Sequence, residues 1–81
     1  MAIAVHDIID IPQGIHRKIE RVVILNVHTY DTGDLSIRFR YASNRHRGVD
    51  WRGFLDKADA DAAVHVGRDE TVDLASRSML P

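Results

Sequence analysis

This chain of 81 residues contains no cysteine, only two prolines and few aromatic side chains. Without cysteine it can form neither disulfides nor thiolate zinc sites, and it has no cysteine nucleophile. Its longest unbroken aliphatic run covers residues 22–25, far short of the roughly 20 residues that cross a bilayer. The N-terminal segment lacks the basic start of a signal peptide, and Asp7 and Asp10 interrupt its apolar residues. We therefore expect a cytoplasmic protein with no membrane contact.

Positive and negative side chains are nearly balanced in number. Eleven Lys and Arg oppose twelve Asp and Glu, which gives a net charge of −1 with neutral histidines. This balance argues against a protein that coats nucleic acid or membrane through bulk charge. Apolar residues make up 44% and charged residues 28%, as in a folded domain. At this length we expect one domain, residues 1–81, and self-association would add burial to so small a core.

The clearest structural signal is a central β-hairpin, with strands over about residues 21–30 and 34–42. Its turn, Asp31-Thr32-Gly33, fits a three-residue loop that ends in a left-handed glycine. Such a loop fixes which residues of the two strands face each other, and burial favours the register that separates apolar from polar side chains.

In that register, Val27 faces Ile37, Leu25 faces Phe39 and Val23 faces Tyr41. The odd-numbered residues of both strands then form one apolar face, which we expect to be buried. The opposite face carries polar and aromatic side chains that we expect to be exposed: Asn26, His28, Tyr30, Ser36, Arg38 and Arg40.

A helix is predicted over about residues 51–62, with Asp50 as its N-cap. Its apolar residues recur at helical spacing and form one stripe: Trp51, Phe54, Leu55, Ala58 and Ala62. This stripe would pack on the apolar face of the hairpin. The sequence therefore predicts an α+β fold, in which an antiparallel sheet built on the hairpin is covered by one helix.

The two ends of the chain give weaker signals. Residues 2–11 are rich in Ile and Val and predict a strand. For residues 12–20 a short helix is favoured slightly over an irregular lead-in to the next strand. The region 63–80 fits either helix or strands, and alternating valines around Gly67 favour strands near 63–67 and 71–75.

Charge is unevenly distributed along the chain although its sum is near zero. Residues 35–49 include four arginines and no acid, whereas residues 56–73 include six acids. Three interpretations stay open for the basic stretch: a solvated face, charge pairing between subunits, or binding of an external anion. The predicted partner-binding residues are these arginines and a nearby ring: Arg38, Arg40, Arg45, Arg47 and Tyr30.

Motifs for catalysis or cofactor binding are missing from the sequence. Its five histidines lie between 10 and 19 residues apart, so no two have the i, i+4 spacing of helical metal ligands. No serine lies in a G-x-S-x-G elbow, and no G-x-x-x-x-G-K phosphate loop occurs. We therefore expect no enzyme activity, no metal, no cofactor and no small-molecule substrate.

The leading hypothesis is a non-enzymatic protein-binding module, such as a small regulator or inhibitor, that binds another protein or forms a homo-oligomer. The alternative is a nucleic-acid-binding module that uses the same arginines, with Tyr30 and His28 as stacking rings. A third hypothesis is a subunit of an enzyme whose site a partner completes.

Overall fold

Six strands form one sheet in a computed structural model that describes residues 2–75 and 79–80. Their order across the sheet is fifth, first, second, third, fourth and sixth, and all neighbours are antiparallel except the last pair. A short 3-10 helix covers Ala42–Asn44. The helix is α1 (Lys57–Ala62), and the strands are β1 (Asp7–Gln13), β2 (Lys18–Thr29), β3 (Leu35–Tyr41), β4 (Asp50–Leu55), β5 (Val64–Arg68) and β6 (Met79–Leu80). The predicted α+β class is confirmed.

The turn of the central hairpin has the predicted form. The N–H of Tyr30 donates to the carbonyl of Asp34 at 2.9 Å, and the N–H of Gly33 donates to the carbonyl of Tyr30 at 2.9 Å. Gly33 has a φ of +90°, a conformation that glycine adopts without a steric penalty. Beyond the turn, Val27 pairs with Ile37 as predicted.

The predicted pairs beyond this point are wrong, because a β-bulge at Leu25 shifts the register by one residue. Ile24 pairs with Phe39, and Val22 pairs with Tyr41. Side chains from the run 22–25 are therefore buried on both faces of the sheet instead of one. A continuous apolar run suits a strand that is covered on both sides.

The first face of the sheet carries the larger core, and α1 covers part of it through Ala60. Its buried members come from four strands: Ile9, Ile11, Val22, Ile24, Leu35, Ile37, Phe39 and Leu55. The second face buries Val23 and Leu25 beneath Val72 and Leu74. The segment over residues 69–75 thus acts as the cover of the second face.

The helix begins later than predicted, because residues 50–55 form a strand. Asp56, and not Asp50, is the N-cap, and its Oδ1 accepts the N–H of Asp59 at 2.8 Å. Strand β4 pairs with β3 along its length, so Trp51 lies opposite Phe39 and Phe54 lies opposite Ser36. Apolar residues at this spacing fit a helix as well as a strand, and the pairing with β3 decides for the strand. No helix in the described ranges is long and apolar enough to span a membrane.

The ends of the chain agree with the sequence only in part. The predicted strand over 2–11 is confirmed for its second half by β1, and the strand near 63–67 is confirmed by β5. The helix predicted over 12–20 is wrong, since a turn with left-handed Gly14 and Arg17 joins β1 to β2. Residues 71–75 form no strand but lie across the second face. The rest of the prediction for 63–80 falls partly on residues 76–78, which lie outside the described residues.

A side chain at Gly53 should be destabilising, because its Cβ would lie 3.0 Å from Cε1 of Phe39, which is buried in the core. We expect Gly53→Ala to lower the free energy of unfolding by about 1–3 kcal/mol, as overpacked cores do. Gly67→Ala is the matched control, since its Cβ would meet nothing within 4 Å. Urea unfolding of both variants checks this, and equal stabilities would contradict the close approach of β4 to Phe39.

Candidate binding surfaces

Arg40 is fully buried, and its predicted exposure on the sheet surface is wrong. It lies on the second face, next to the fourth strand, whose first residue is Asp50. Its Nε donates to Oδ1 of Asp50 at 2.5 Å, and both side chains have 0% exposure. The sequence prediction fails here because it makes Asp50 a helix cap and includes no cover over residues 69–75.

Arg38 shares the same carboxylate. Its Nη1 donates to Oδ2 of Asp50 at 2.8 Å, and only 14% of its side chain is exposed, so its predicted exposure is wrong as well. One carboxylate therefore lies between two guanidinium groups, so this cluster carries a net positive charge. We call Arg38, Arg40 and Asp50 the buried charge cluster.

Main-chain carbonyls accept further hydrogen bonds from both guanidinium groups of the buried charge cluster. Nη2 of Arg38 donates to the carbonyl of Leu74 at 2.9 Å, and Nη2 of Arg40 donates to that of Ala75 at 2.8 Å. Nη1 of Arg40 also donates to the carbonyl of Asp73. These bonds offset the desolvation of the arginines and fasten the segment over residues 69–75 to the sheet.

Arg45 is also engaged within the molecule. Its Nε lies 2.6 Å from Oδ2 of Asp69, and its Nη1 donates to the carbonyl of Ala42 at 2.9 Å. Thr71 donates to the same carboxylate through its hydroxyl and its N–H, and these bonds with the charge of Arg45 lower the pKa of Asp69 although desolvation opposes them. Arg47 is exposed in the loop before β4. The four arginines therefore do not form one open basic surface, and their partner-binding role stays a prediction.

Tyr30 is exposed as predicted, and it is the middle ring of three on the second face. Its ring meets that of His28 edge to face at 4.7 Å, and it lies 6.4 Å from that of Phe54. Tyr30 and Phe54 are 45% and 62% exposed. We call His28, Tyr30 and Phe54 the aromatic patch.

Phe54 is the member of the aromatic patch that the sequence does not predict, because its spacing also fits the buried stripe of a helix. Asp50, Trp51 and Arg52 alternate between charged and apolar residues, and β4 places Arg52 and Phe54 on one face and Trp51 and Leu55 on the other. That alternation is the signal in the sequence for a strand, and a strand here places Phe54 beside Tyr30.

A second buried carboxylate, that of Asp7, ties β5 to the start of β1. Its Oδ2 accepts the N–H of Ala4 at 2.8 Å, and its Oδ1 lies 2.7 Å from Nη1 of Arg68 and 3.1 Å from Nε2 of His65. Burial raises the pKa of Asp7, but these contacts outweigh it and hold the pKa below its usual 3.8. Across residues 2–75 no three His, Asp or Glu side chains converge in a way that would hold a metal ion.

Removal of the shared carboxylate should destabilise the fold strongly. Asp50→Asn leaves the buried Arg40 without a counter-charge, and we expect a loss of about 3–5 kcal/mol in the free energy of unfolding. Asp61→Asn is the control, because Asp61 forms an exposed pair with Lys57 and its loss should change stability by about 0.5 kcal/mol or less. Urea unfolding measures both, and similar losses would contradict the role of the buried charge cluster.

Stability should fall in acid in a way that depends on Asp7. Because the folded pKa of Asp7 lies below the unfolded one, its stabilisation is complete well above pH 3.8 and is lost as the pH falls through the folded pKa. Asp7→Asn should therefore be less stable than wild type at pH 7, and the gap should narrow below about pH 3.8. Chemical unfolding over pH 3–7 measures the gap, and a constant gap would show that ionisation of Asp7 does not contribute.

No protein-family model, curated protein or solved structure matches this chain significantly. Within the described residues, Arg38 and Arg40 are enclosed, whereas the aromatic patch is exposed.

Proposed function

We propose that this protein is a non-enzymatic protein-binding module, a small regulator or inhibitor, that acts in the cytoplasm and docks through the aromatic patch. The observation that carries the proposal is the exposed contact between Tyr30 and Phe54 on the part of the second face that Val72 and Leu74 leave uncovered. Exposed aromatic side chains on a rigid sheet are typical anchors of protein interfaces.

Paired strands position the rings of the aromatic patch next to one another. His28 and Phe54 lie on either side of Ser36 in three paired strands, and Tyr30 follows in the same hairpin. Because the strands fix their backbones and the rings restrict one another, binding loses little side-chain entropy. This order favours a docking surface over a solvated face of scattered residues.

The simplest partner is a second copy of the chain. A two-fold contact would bring the aromatic patches of both copies together, and each copy would cover Tyr30 and Phe54 of the other. Burial of these rings would add apolar area to a domain of only 81 residues. Another protein with an apolar surface would fit the patch by the same chemistry.

The alternative of nucleic-acid binding has less support. Of the four arginines on which it depends, Arg38 and Arg40 pair with Asp50, and Arg45 lies against Asp69. Counterion release needs cations that are open to phosphate, and charges neutralised within the molecule supply little of it. The aromatic patch alone would give stacking without charge.

Substitution of the aromatic patch should abolish association. Light scattering over a concentration series should give a mass above 9.2 kDa for wild type and a monomer mass for the double variant Tyr30→Ser, Phe54→Ser. Ile19→Ser is the matched control, because Ile19 is also exposed and apolar but lies outside the patch.

If wild type is monomeric, a pull-down from lysate with and without nuclease decides the question. A protein that wild type and the Ile19 variant retain, and the patch variant loses, supports the proposal. Recovery that nuclease abolishes, or that the patch variant keeps, contradicts it. A monomer that retains no protein also contradicts it.

A further inference from the structure

The two edges of the sheet differ in how they are protected against pairing with a further strand. At one edge, β5 has a β-bulge opposite Ile8 and Ile9, and its last residue is Arg68, whose side chain is 44% exposed. Bulges and charged side chains are common means by which proteins keep a sheet edge from pairing with another chain. The β5 edge is therefore poorly suited to the addition of a strand.

The other edge is formed by β4, and it is covered over only part of its length. Within residues 2–75 and 79–80, β6 pairs only with Asp50 and Trp51, and no strand lies on the outer side of residues 52–55. These four residues include neither Lys nor Pro, and their pairing with β3 continues without a bulge. Their outward N–H and C=O groups are therefore placed to pair with the main chain of an added strand.

The aromatic patch reaches this same edge through Phe54. His28 pairs with Ser36 and Ser36 pairs with Phe54, so one row of side chains crosses three strands on the second face and ends at β4. Phe54 is 62% exposed, and a strand added beside β4 would place its own side chain next in this row. An extended strand would therefore satisfy the main-chain groups of the edge and cover Phe54 at the same time.

The charges along this edge favour a second copy of β4 as that strand. The exposed side chains alternate along it as Arg52, Phe54 and Asp56, and the backbone of Asp56 is still extended. This order of cation, ring and anion is complementary to itself when it is reversed. In an antiparallel pair centred on Phe54, the two rings meet, and Arg52 of each copy faces Asp56 of the other.

Neighbouring two-fold registers are less favourable. A pair centred on Arg52 would oppose two guanidinium groups. One centred on Gly53 would place Asp50 opposite Asp56, and it would need the part of the edge that β6 occupies. One centred on Leu55 would put each ring of Phe54 opposite a carboxylate. Among these four registers, only the one centred on Phe54 joins opposite charges and apolar rings together.

Both charged groups have the capacity for a partner across the pair. Arg52 already has an interaction within its own chain, and the five N–H donors of a guanidinium allow a second one. Oδ1 of Asp56 accepts the N–H of Asp59, and a carboxylate has acceptor sites for further donors. The pairing thus adds to the contacts within each chain and does not require that any of them break.

We infer that two copies of this chain pair through β4 in antiparallel orientation, over residues 52–56, and form one continuous sheet. The two aromatic patches then lie side by side on one face, with Tyr30 behind each Phe54. Strand β6 of each copy lies beyond the paired segment, because it pairs with residues 50–51. This inference rests on the proposed function, since it specifies how a second copy docks at the aromatic patch.

Complementary charge reversals test the register. Arg52→Glu opposes two carboxylates at both ends of the paired segment, and Asp56→Lys opposes two cations there, so each variant alone should dimerise about tenfold more weakly than wild type. An equimolar mixture of the two variants should regain wild-type association, because a mixed dimer has opposite charges at both ends. Light scattering over a concentration series measures the masses, and a mixture that stays as weak as its components overturns the inference.

Glu70→Lys is the matched control for net charge. It makes the same change as Asp56→Lys at a side chain that is 67% exposed and lies next to β5, at the other edge of the sheet. It should associate like wild type. Equal weakening by Glu70→Lys and Asp56→Lys would show that only net charge matters and would overturn the inference. Asp56 also caps α1, and if its replacement prevents folding, hydrogen exchange of wild type decides.

Amide hydrogen exchange detects the pairing in wild type without any substitution. Amides within residues 52–56 should exchange more slowly at associating concentrations than after dilution to monomer, because added main-chain hydrogen bonds protect them. Amides within residues 64–68, at the other edge, should exchange equally at both concentrations. Slower exchange at 64–68 in place of 52–56, or no change at 52–56, overturns the inference.

Failure of this inference is distinguishable from failure of the proposed function. If the double variant Tyr30→Ser, Phe54→Ser associates like wild type, the aromatic patch is not the docking surface and both fail. If that variant is monomeric while Arg52→Glu and Asp56→Lys associate like wild type, the patch docks in another arrangement and only the inference fails. A wild type that is monomeric at every concentration also overturns the inference alone, since the proposed function allows another protein as partner.

Discussion

The carboxylate of Asp50 lies between the guanidinium groups of Arg38 and Arg40, and the second face of the sheet is organised around this contact. A buried arginine is tolerable only with a counter-charge and with acceptors for its remaining hydrogens. The carbonyls of residues 73–75 supply those acceptors. The same bonds place Val72 and Leu74 over β2. One ionic contact therefore determines which part of the second face is buried and which part stays exposed.

Two aromatic areas of the sheet stay exposed once this cover is in place. On the second face the cover stops short of Tyr30 and Phe54, and on the first face Tyr41 and Trp51 are partly exposed. Both surfaces are aromatic, and both are carried by paired strands. One aromatic area is therefore left exposed on each side of the sheet.

Turns formed by neighbouring residues are predictable from the sequence, whereas contacts between residues far apart in the chain are not. The residues Asp31-Thr32-Gly33 determine their loop alone, so the sequence predicts the hairpin and the exposure of Tyr30. The bulge at Leu25 and the burial of Arg40 depend on a cover that lies more than thirty residues further along the chain. The apolar residues of 51–55 fit the spacing of a helix as well as that of a strand, and the pairing with β3 makes this segment a strand. The sequence therefore predicts the exposure of Tyr30, but it predicts neither that of Phe54 nor the contact between the two rings.

The acceptors that hold the cover are main-chain oxygens, which every amino acid carries. Substitutions within residues 73–75 can thus leave these hydrogen bonds unchanged, provided that the backbone keeps its path and position 74 stays apolar. Arg40 has no such freedom, because lysine lacks the planar fork that reaches a carboxylate and several carbonyls at once. Relatives of this chain should therefore agree at positions 38, 40 and 50 more closely than over residues 73–75.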